Sequence, residues 1–593
     1  MNPPRDDVPE RYRFDLSRIY ETPADWTDAC EDFREEIATL EALADVDIEE
    51  ANDLRALLET TEDAHRQKQR LGLYATLARD IATDDDAAAD RRRRFETLDA
   101  DFTAAVDAVR YRLAATDRDT LDAAIDALDE YRRYAEDFRE QSRYALDPSV
   151  AETVAAYEKT TDTPTNIVRA ASTEDFDADP IEGPDGDQVE ITRGNYISEL
   201  ADPDREYRRR VYETFRAELD RFEATITEAV AGKIRAAGAD AEVRGYESVR
   251  DRALRRPSYP ESGLRCRLLE EVHDTMLTSV RENLDSYHRA LRIRRERLGV
   301  DALRPWDRRV SIVDADPPTV DYDEAREHIL TALEPLGEDY VETLEAFFED
   351  RRIDVVPTQS KRTDITAYCP SSAADGAYIL ANFREDVRST YILCHELGHA
   401  MHVEQHRSGP TRYATAPRPM SEVPSLLHEL LLTDHFLDVG GPLAAAARNR
   451  VVSLLAGNLF RAARRSAFTH EIVTTVESGT ELTPTRARKA WADLQSEFEP
   501  LVEFDDRAGR NWLYGWTREL YSRYQYVLGA AGALAVRDAL RNGPLTTDEY
   551  RSVLAETGRR SSVETFQRLD CDPTSEAFYE RAAGVFDGYL DRL

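Results

Sequence analysis

The stretch Tyr391-Ile-Leu-Cys-His-Glu-Leu-Gly-His-Ala-Met-His402 decides how this chain is read. On an α-helix, residues four apart lie one above the other. His395 and His399 can therefore direct two imidazole nitrogens at one point about 2 Å away, where a zinc ion fits. Glu396, offset by about 100° around the helix, can reach a water there without being a ligand itself. That pattern suits metal-assisted hydrolysis of peptides. The alternative is a surface helix carrying two unligated His. Two features count against it. Tyr391-Ile392-Leu393 is apolar and predicts a buried helix, and a buried His needs a partner or a metal. Gly398 costs a helix about 1 kcal/mol relative to Ala, so it calls for a packing reason.

A site of this type needs a third protein ligand, and the residues after the motif offer one. Following the Pro- and Arg-rich connection Gly409 to Pro419 comes Ser421-Glu-Val-Pro-Ser-Leu-Leu-His-Glu429. Ser421 is expected to cap a helix whose first turn tolerates Pro424, because the leading amides have no intrahelical partner. Glu422 is then the expected third ligand, with a fourth position left for water. Glu429, seven residues on, shares its face and is placed to orient a ligand from behind.

Before the motif, Ile353-Asp-Val-Val-Pro, Asp364-Ile-Thr-Ala-Tyr-Cys and Gly376-Ala-Tyr-Ile-Leu-Ala-Asn-Phe383 are short β-branched and aromatic runs bounded by Pro, Ser and Gly. They read as a small sheet beside the zinc helix, either a plain structural hairpin or an edge strand able to hold an extended peptide. The rest of the chain has helical periodicity. Leu54, Leu57, Leu58 and Thr61, then Leu71, Leu73, Leu77 and Ile81, mark one apolar stripe, and Thr83 to Asp86 reads as a turn between long antiparallel helices. Arg91 to Arg94 reads as a solvated helix face among acids. Thr160 to Asp187, rich in Thr, Asp, Pro and Gly, is a candidate boundary, and Val189 to Arg193 a short strand. Helices are expected from Asp204 to Lys233, Leu264 to Leu298 and Asp323 to Asp350, with Pro305 to Pro318 as a loop. The C-terminal third is helical and carries the aromatic concentration Trp512, Tyr514, Trp516, Tyr521, Tyr524 and Tyr526.

The chain has 593 residues, 41% of them hydrophobic, and a formal net charge of −39 from 117 acidic against 78 basic residues. Such a polyanion has no general attraction for nucleic acid and is repelled by anionic membranes. Lys occurs only at positions 68, 159, 233, 361 and 489. Arg over Lys, together with the acid excess, suggests a salt-accumulating cytoplasm, where molar salt with a Debye length of about 3 Å screens self-repulsion. Cys30, Cys266, Cys369, Cys394 and Cys571 have no paired spacing, which argues for a reducing compartment and against a Cys-based zinc site. No signal segment or membrane-spanning run is evident, and a cytoplasmic location is expected.

With these residues in view the chain resembles oligoendopeptidase F, of the thimet-oligopeptidase family of zinc metallopeptidases. The extended motif His-Glu-x-Gly-His-x-x-His matches His395 to His402, and the downstream ligand context matches Glu422, Ser425 and Glu429. Similarity also appears at Gly194-Asn-Tyr-Ile-Ser through Asp202-Pro-Asp-Arg205, at Ile353-Asp-Val, at Tyr378-Ile-Leu-Ala-Asn382 and at Tyr524-Gln-Tyr526. The resemblance implies a mainly α, two-lobed fold around a deep channel that admits short peptides. The N-terminal helical lobe would span 1–188 and the catalytic part 189–593. It implies one zinc ion on His395, His399 and Glu422, Glu396 as general base and then acid, and Tyr524 as the oxyanion donor. His402 and Glu429 would support the ligands, and Tyr378, Asn382, Tyr514 and Tyr521 would face substrate. Two departures stand out. Gly515-Trp-Thr-Arg-Glu519 lacks the family's His, and Lys361-Arg-Thr-Asp-Ile-Thr-Ala-Tyr368 carries an insertion and no Gly. Two rival readings follow. A zinc carboxypeptidase of the related helical type would carry a His-Glu-Ser-Gln-Ser signature, which is absent. A peptide-binding homologue without turnover would fit the missing His.

Overall fold

The strand Ile379–Ala381 explains how the molecule is divided. Successive side chains of a strand point to opposite faces. From Ala377 onward, Ala377, Ile379 and Ala381 join one hydrophobic core, while Tyr378 and Leu380 join another. A short sheet thus separates an N-terminal core, built from Phe14 to Ala135, from a larger core that runs from Val168 to Leu590. The computed structural model describes residues 2–128, 131–255, 270–313, 318–407, 411, 416–515 and 519–593.

The N-terminal core is made chiefly by three long helices, Pro23–Ala44, Ala51–Ile81 and Asp86–Ala115, which pack against one another. The first starts sharply because Thr22 and Asp25 form a reciprocal capping box ahead of Pro23. The apolar stripe of the second is buried at Leu54, Leu57, Leu58, Leu71, Leu73 and Leu77. The turn expected at Thr83 to Asp86 is present, with Asp85 capping the third helix. Arg91 to Arg94 is an acid-matched face, paired with Asp85, Glu96, Asp90 and Glu31.

The sheet has strand order Ile353–Asp354, Ile379–Ala381, Ala367–Tyr368, the first pair parallel and the second antiparallel, so Ala367–Tyr368 forms one edge. Lys361 anchors it from inside. Its buried ammonium lies 2.8 Å from Asp354 Oδ1 and donates to the carbonyls of Asp354, Val356 and Ala381. A hairpin, Ser371–Ser372 with Gly376–Ala377, turns through Gly376 at φ +79°, and Glu404 of the motif helix accepts from the Ala377 amide and from Arg352.

The larger core is mainly helical, and several of its helices are shorter than the sequence pattern predicts. The single helix expected from Asp323 to Asp350 is two, Tyr322–Leu333 and Glu338–Glu349, parted at Glu334–Leu336 and Gly337. Pro335 lacks the amide that would continue the ladder. The region Asp204 to Lys233 likewise divides into Arg205–Asp220 and Glu223–Arg244. The expected strand after Asp187 is two residues long, Gln188–Val189, in a hairpin with Ile181–Glu182. Residues 264–269 and Cys266 of the expected Leu264 helix, 314–317 of the Pro305 loop, and most of the Gly409 connection lie outside the described residues, as does Trp516. Among the described residues, no helix is long and apolar enough to cross a membrane.

Candidate metal centre and active site

Three helices build the site. The motif helix spans Val387–His406 and is capped by Asp386, whose carboxylate accepts from the Ser389 amide. The second helix spans Arg418–Val439 and the third Tyr524–Asn542. The second helix starts at Arg418 after Pro417, so Ser421 sits inside it and is not its cap. Pro417 and Pro419 supply the start: a proline presets the helical φ and wastes no amide in the first turn. Pro424 consequently falls inside the helix.

Gly398 has the packing role that its cost demanded. A Cβ there would lie 2.7 Å from the Ser425 amide nitrogen and 2.9 Å from the Pro424 carbonyl carbon, so the first two helices meet at backbone contact. The third helix closes on the second in the same way. A Cβ on Gly529 would come within 2.5 Å of Glu422 Cβ, and one on Gly532 within 2.9 Å of Val423 Cγ2. Glu422 is thereby held between two glycine-lined crossings.

These contacts bring His395, His399 and Glu422 together, with one ligand atom from each lying within 4.8 Å of the others. His395 Nε2 is 3.7 Å from Glu422 Oε2, and the two imidazole rings stand 5.0 Å apart, nearly perpendicular. Along the motif helix Leu393, Cys394, Leu397, Gly398 and Ala400 are buried, whereas His395, Glu396 and His399 are half-buried and face accessible space. Cys394 is a core residue, as its position off the His face predicts.

Behind the ligands runs a buried charge relay. Glu429 Oε1 lies 3.0 Å from His395 Nδ1, and its other oxygen accepts from Arg450 Nη2 at 2.7 Å and Nε at 3.2 Å. With Nδ1–H donating to Glu429, the ring presents Nε2 toward Glu422. Arg450, on the helix Gly441–Leu455, is not among the residues that the sequence singles out. The signal that could have found it is physical: a buried carboxylate requires a cation.

The electrostatics favour a cation at this point. Burial pushes Glu396 up to about 7, against the pull of His395 and with the help of Glu422 and Glu429. Burial also raises Glu422. Burial pushes His399 down to about 3, with His395 adding to it, which leaves the neutral imidazole that metals bind. At His395 burial is outweighed by Glu429, and the ring rises to about 9. At Glu429 burial is outweighed by Arg450 and His395, and its carboxyl is held low. Carboxylates crowded in low dielectric are relieved by a dication.

Of the other residues expected at the site, several are turned into the cores. His402 is buried and its Nε2 lies 3.0 Å from Thr557 Oγ1, so it ties the motif helix to the turn Thr557–Arg559 instead of touching a ligand. Tyr378, expected to face substrate, is 1% exposed and packs edge-on against Phe14, because the strand's alternation turns it into the N-terminal core. Asn382, likewise expected to face substrate, is buried and donates to the carbonyls of Arg362 and Ile365, pinning that loop to the sheet. Tyr514 lies edge-on to Tyr196 and Phe215. Tyr521 adopts φ +57°, is buried, and has its hydroxyl 3.0 Å from His470 Nδ1. Tyr524 occupies the first turn of the third helix, five residues before Gly529, and is 4% exposed. Of Gly515 to Glu519, residues 516–518 lie outside the described residues.

A family model, Peptidase family M3, matches residues 199–585. The chain belongs to peptidase family M3. M3 is a metallopeptidase family, and the resemblance drawn from the motifs holds. The chain is similar to Oligopeptidase PepF of Bacillus subtilis, 27% identical over 424 residues that span 70% of this chain and 61% of that relative. It is also similar to Group B oligopeptidase PepB of Streptococcus agalactiae, 24% identical over 100% of this chain and 98% of that one. The crystal structure of oligoendopeptidase-F from Enterococcus faecium has the same fold, with a TM-score of 0.70 at 21% identity, covering 96% of this chain and 98% of that one. The mainly helical class and the small sheet beside the motif helix are thus features of an M3 peptidase.

Proposed function

We propose that this metalloendopeptidase hydrolyses short peptides and holds one zinc ion per chain on His395, His399 and Glu422. The observation that carries the reading is the convergence of their ligand atoms within 4.8 Å. Two neutral imidazoles and a carboxylate are a known donor set for catalytic zinc, and two ligands of a tetrahedral site lie about 3.4 Å apart, close to the 3.7 Å between His395 and Glu422. Zinc bound there would supply Lewis acidity toward the scissile carbonyl and lower the pKa of water. Glu396 takes the proton of the attacking water and passes it to the leaving amine. Glu429, backed by Arg450, fixes the tautomer of His395. Tyr524 donates a hydrogen bond to the developing oxyanion. The edge strand Ala367–Tyr368 offers its free main-chain groups to an extended peptide.

On this reading the lobe 1–188 and the catalytic part 189–593 enclose a channel that excludes folded proteins, and the relatives' names, oligopeptidases, agree with short substrates. The acidic, arginine-rich composition suits work in a salt-rich cytoplasm. The test is mass spectrometry of a mixed peptide library in molar KCl. Zinc-loaded protein should make internal cuts. Chelation should abolish them and added zinc restore them. Glu396→Gln should retain its zinc and lose about 100- to 10,000-fold in rate. Zinc retention with no cleavage of any peptide by the wild type would replace this reading with a peptide-binding protein.

A further inference from the structure

We propose that His328 and His435 form a second metal site, outside the catalytic centre, which takes one transition-metal dication of the zinc class and clamps two helices together. The site stands apart from the peptidase reading and does not depend on it.

His328 lies on the helix Tyr322–Leu333 and His435 near the end of the second site helix, Arg418–Val439, and these two helices pack against each other. His328 Nδ1 and His435 Nε2 are 3.0 Å apart. Two nitrogens bound to one tetrahedral ion at about 2.0 to 2.1 Å lie about 3.3 Å from each other, so the rings have to part by about 0.3 Å. The ring centres stand 5.2 Å apart, against 5.0 Å for His395 and His399 at the catalytic centre. Phe436, fully buried, fixes both rings from below: it meets His328 edge-on at 5.2 Å and His435 at 5.8 Å between ring centres. Both imidazoles are half-buried, so an ion reaches them from solvent.

Other histidines of the chain are committed to different groups. His273 is bonded to Ser466, His470 to Tyr521, His402 to Thr557 and His428 to Tyr340. Among the described residues, His328 and His435 hydrogen-bond only each other. Their facing nitrogens share one hydrogen. Moving it through solvent to the outer nitrogen of the same ring releases no net proton and leaves two lone pairs facing one point. Burial, with His328 adding to it, holds His435 below the usual imidazole range, which keeps the ring neutral, as a ligand must be.

A carboxylate is at hand to join them. Asp438 follows His435 by three residues and so shares its face of the helix. Its side chain is 72% exposed and is paired with Arg592 at 3.1 Å. An exposed pair of that kind holds its partners weakly, which leaves the carboxylate free to turn toward an ion. Two imidazoles, a carboxylate and water select zinc, copper, nickel or cobalt over magnesium and calcium, which prefer oxygen ligands alone. The catalytic centre is remote. Thirteen residues of one helix, about 20 Å along its axis, separate His435 from Glu422. An ion bridging two helices binds only the folded protein and therefore stabilises it.

The test counts the metal in zinc-loaded full-length protein dialysed against micromolar free Zn2+ in molar KCl. Excess Mg2+ is included to fill the carboxylate-only sites of so acidic a chain. Wild type should hold one more equivalent than His328→Gln or His435→Gln, and each variant should bind that equivalent at least about tenfold more weakly. Zinc should accordingly raise the unfolding temperature of wild type further than that of either variant. Cu2+ added to zinc-loaded wild type should show electron paramagnetic resonance coupling to two nitrogens, falling to one in either variant. Equal metal counts in all three proteins, or copper held by wild type through oxygens alone, overturns the proposal and leaves the pair as a hydrogen bond between helices. One equivalent in wild type and none in the variants would support this site and overturn the catalytic one.

Discussion

Replacing Gly398 by Ala tests the link between helix packing and the metal centre. Judged by local propensity the change should help, since Ala is favoured over Gly in a helix by about 1 kcal/mol. The structure predicts the reverse. The added Cβ would stand 2.7 Å from the Ser425 nitrogen and nearer still to Ser425 Cα, where ordinary contact begins at 3.4 Å. The second helix must therefore retreat by at least about 0.7 Å, and both neighbours are backbone, which has no flexible end to swing aside. Overpacking of this kind costs about 1 to 3 kcal/mol. Ser425 is three residues from Glu422, so the same retreat draws the carboxylate away from His395 and His399. Metal sites tolerate about 0.2 Å in ligand distance. We expect Gly398→Ala to unfold at lower temperature without metal and to lose about tenfold to a hundredfold in zinc affinity. Thermal unfolding with and without zinc, and competition with a zinc chelator, would measure the two effects separately. A Gly398→Ala variant as stable as wild type and equal in zinc affinity would refute the backbone-contact argument.

Two further perturbations address buried charge. Arg450→Met leaves the Glu429 carboxylate, 1% exposed, without its guanidinium and with only the His395 ring beside it. A cost of about 3 to 5 kcal/mol in unfolding free energy is expected, with zinc binding weakened as His395 loses its orientation. An unchanged denaturation midpoint would remove the relay from the account. Glu499 is buried between Arg308 and Arg464, with Tyr287 donating at 2.7 Å, and although burial opposes ionisation the arginines hold its carboxyl down at about 2. Its folded pKa lies below the ordinary 4.5, so its contribution of about 3 kcal/mol is present above pH 4.5 and is lost as pH falls toward 2. The difference in stability between wild type and Glu499→Gln should therefore narrow by that amount across this window, and a difference independent of pH would contradict the assignment.

What can be read from the sequence is set by the range of the interactions involved. His395, Glu396 and His399 share one helix, so their geometry follows from a 3.6-residue period alone, and Gly398 announces its close contact by its local cost. Glu422 depends on a crossing between two helices, but a glycine in one and a carboxylate at the start of the next carry enough of that crossing to be legible. The start of the second helix departs from expectation because Ser421 and Pro419 offer rival signals, and the prolines prevail: a fixed φ acts on the backbone directly, whereas a cap contributes one hydrogen bond. Tyr378 and Asn382 depart from it for a different reason. In a strand a shift of one residue reverses the face, and the flanking run Tyr378-Ile-Leu-Ala-Asn382 is apolar on both sides because both sides are cores, so no alternation marks which face meets the site. Arg450 is invisible for the most general reason. In a chain dense with Arg, Asp and Glu, a charge takes its meaning from whether a partner stands beside it, and that is a property of the fold and not of any window of sequence. The motif helix can be found by sequence because its geometry is local, and the cation behind Glu429 has to wait for the structure because the pairing of buried charge is a long-range fact.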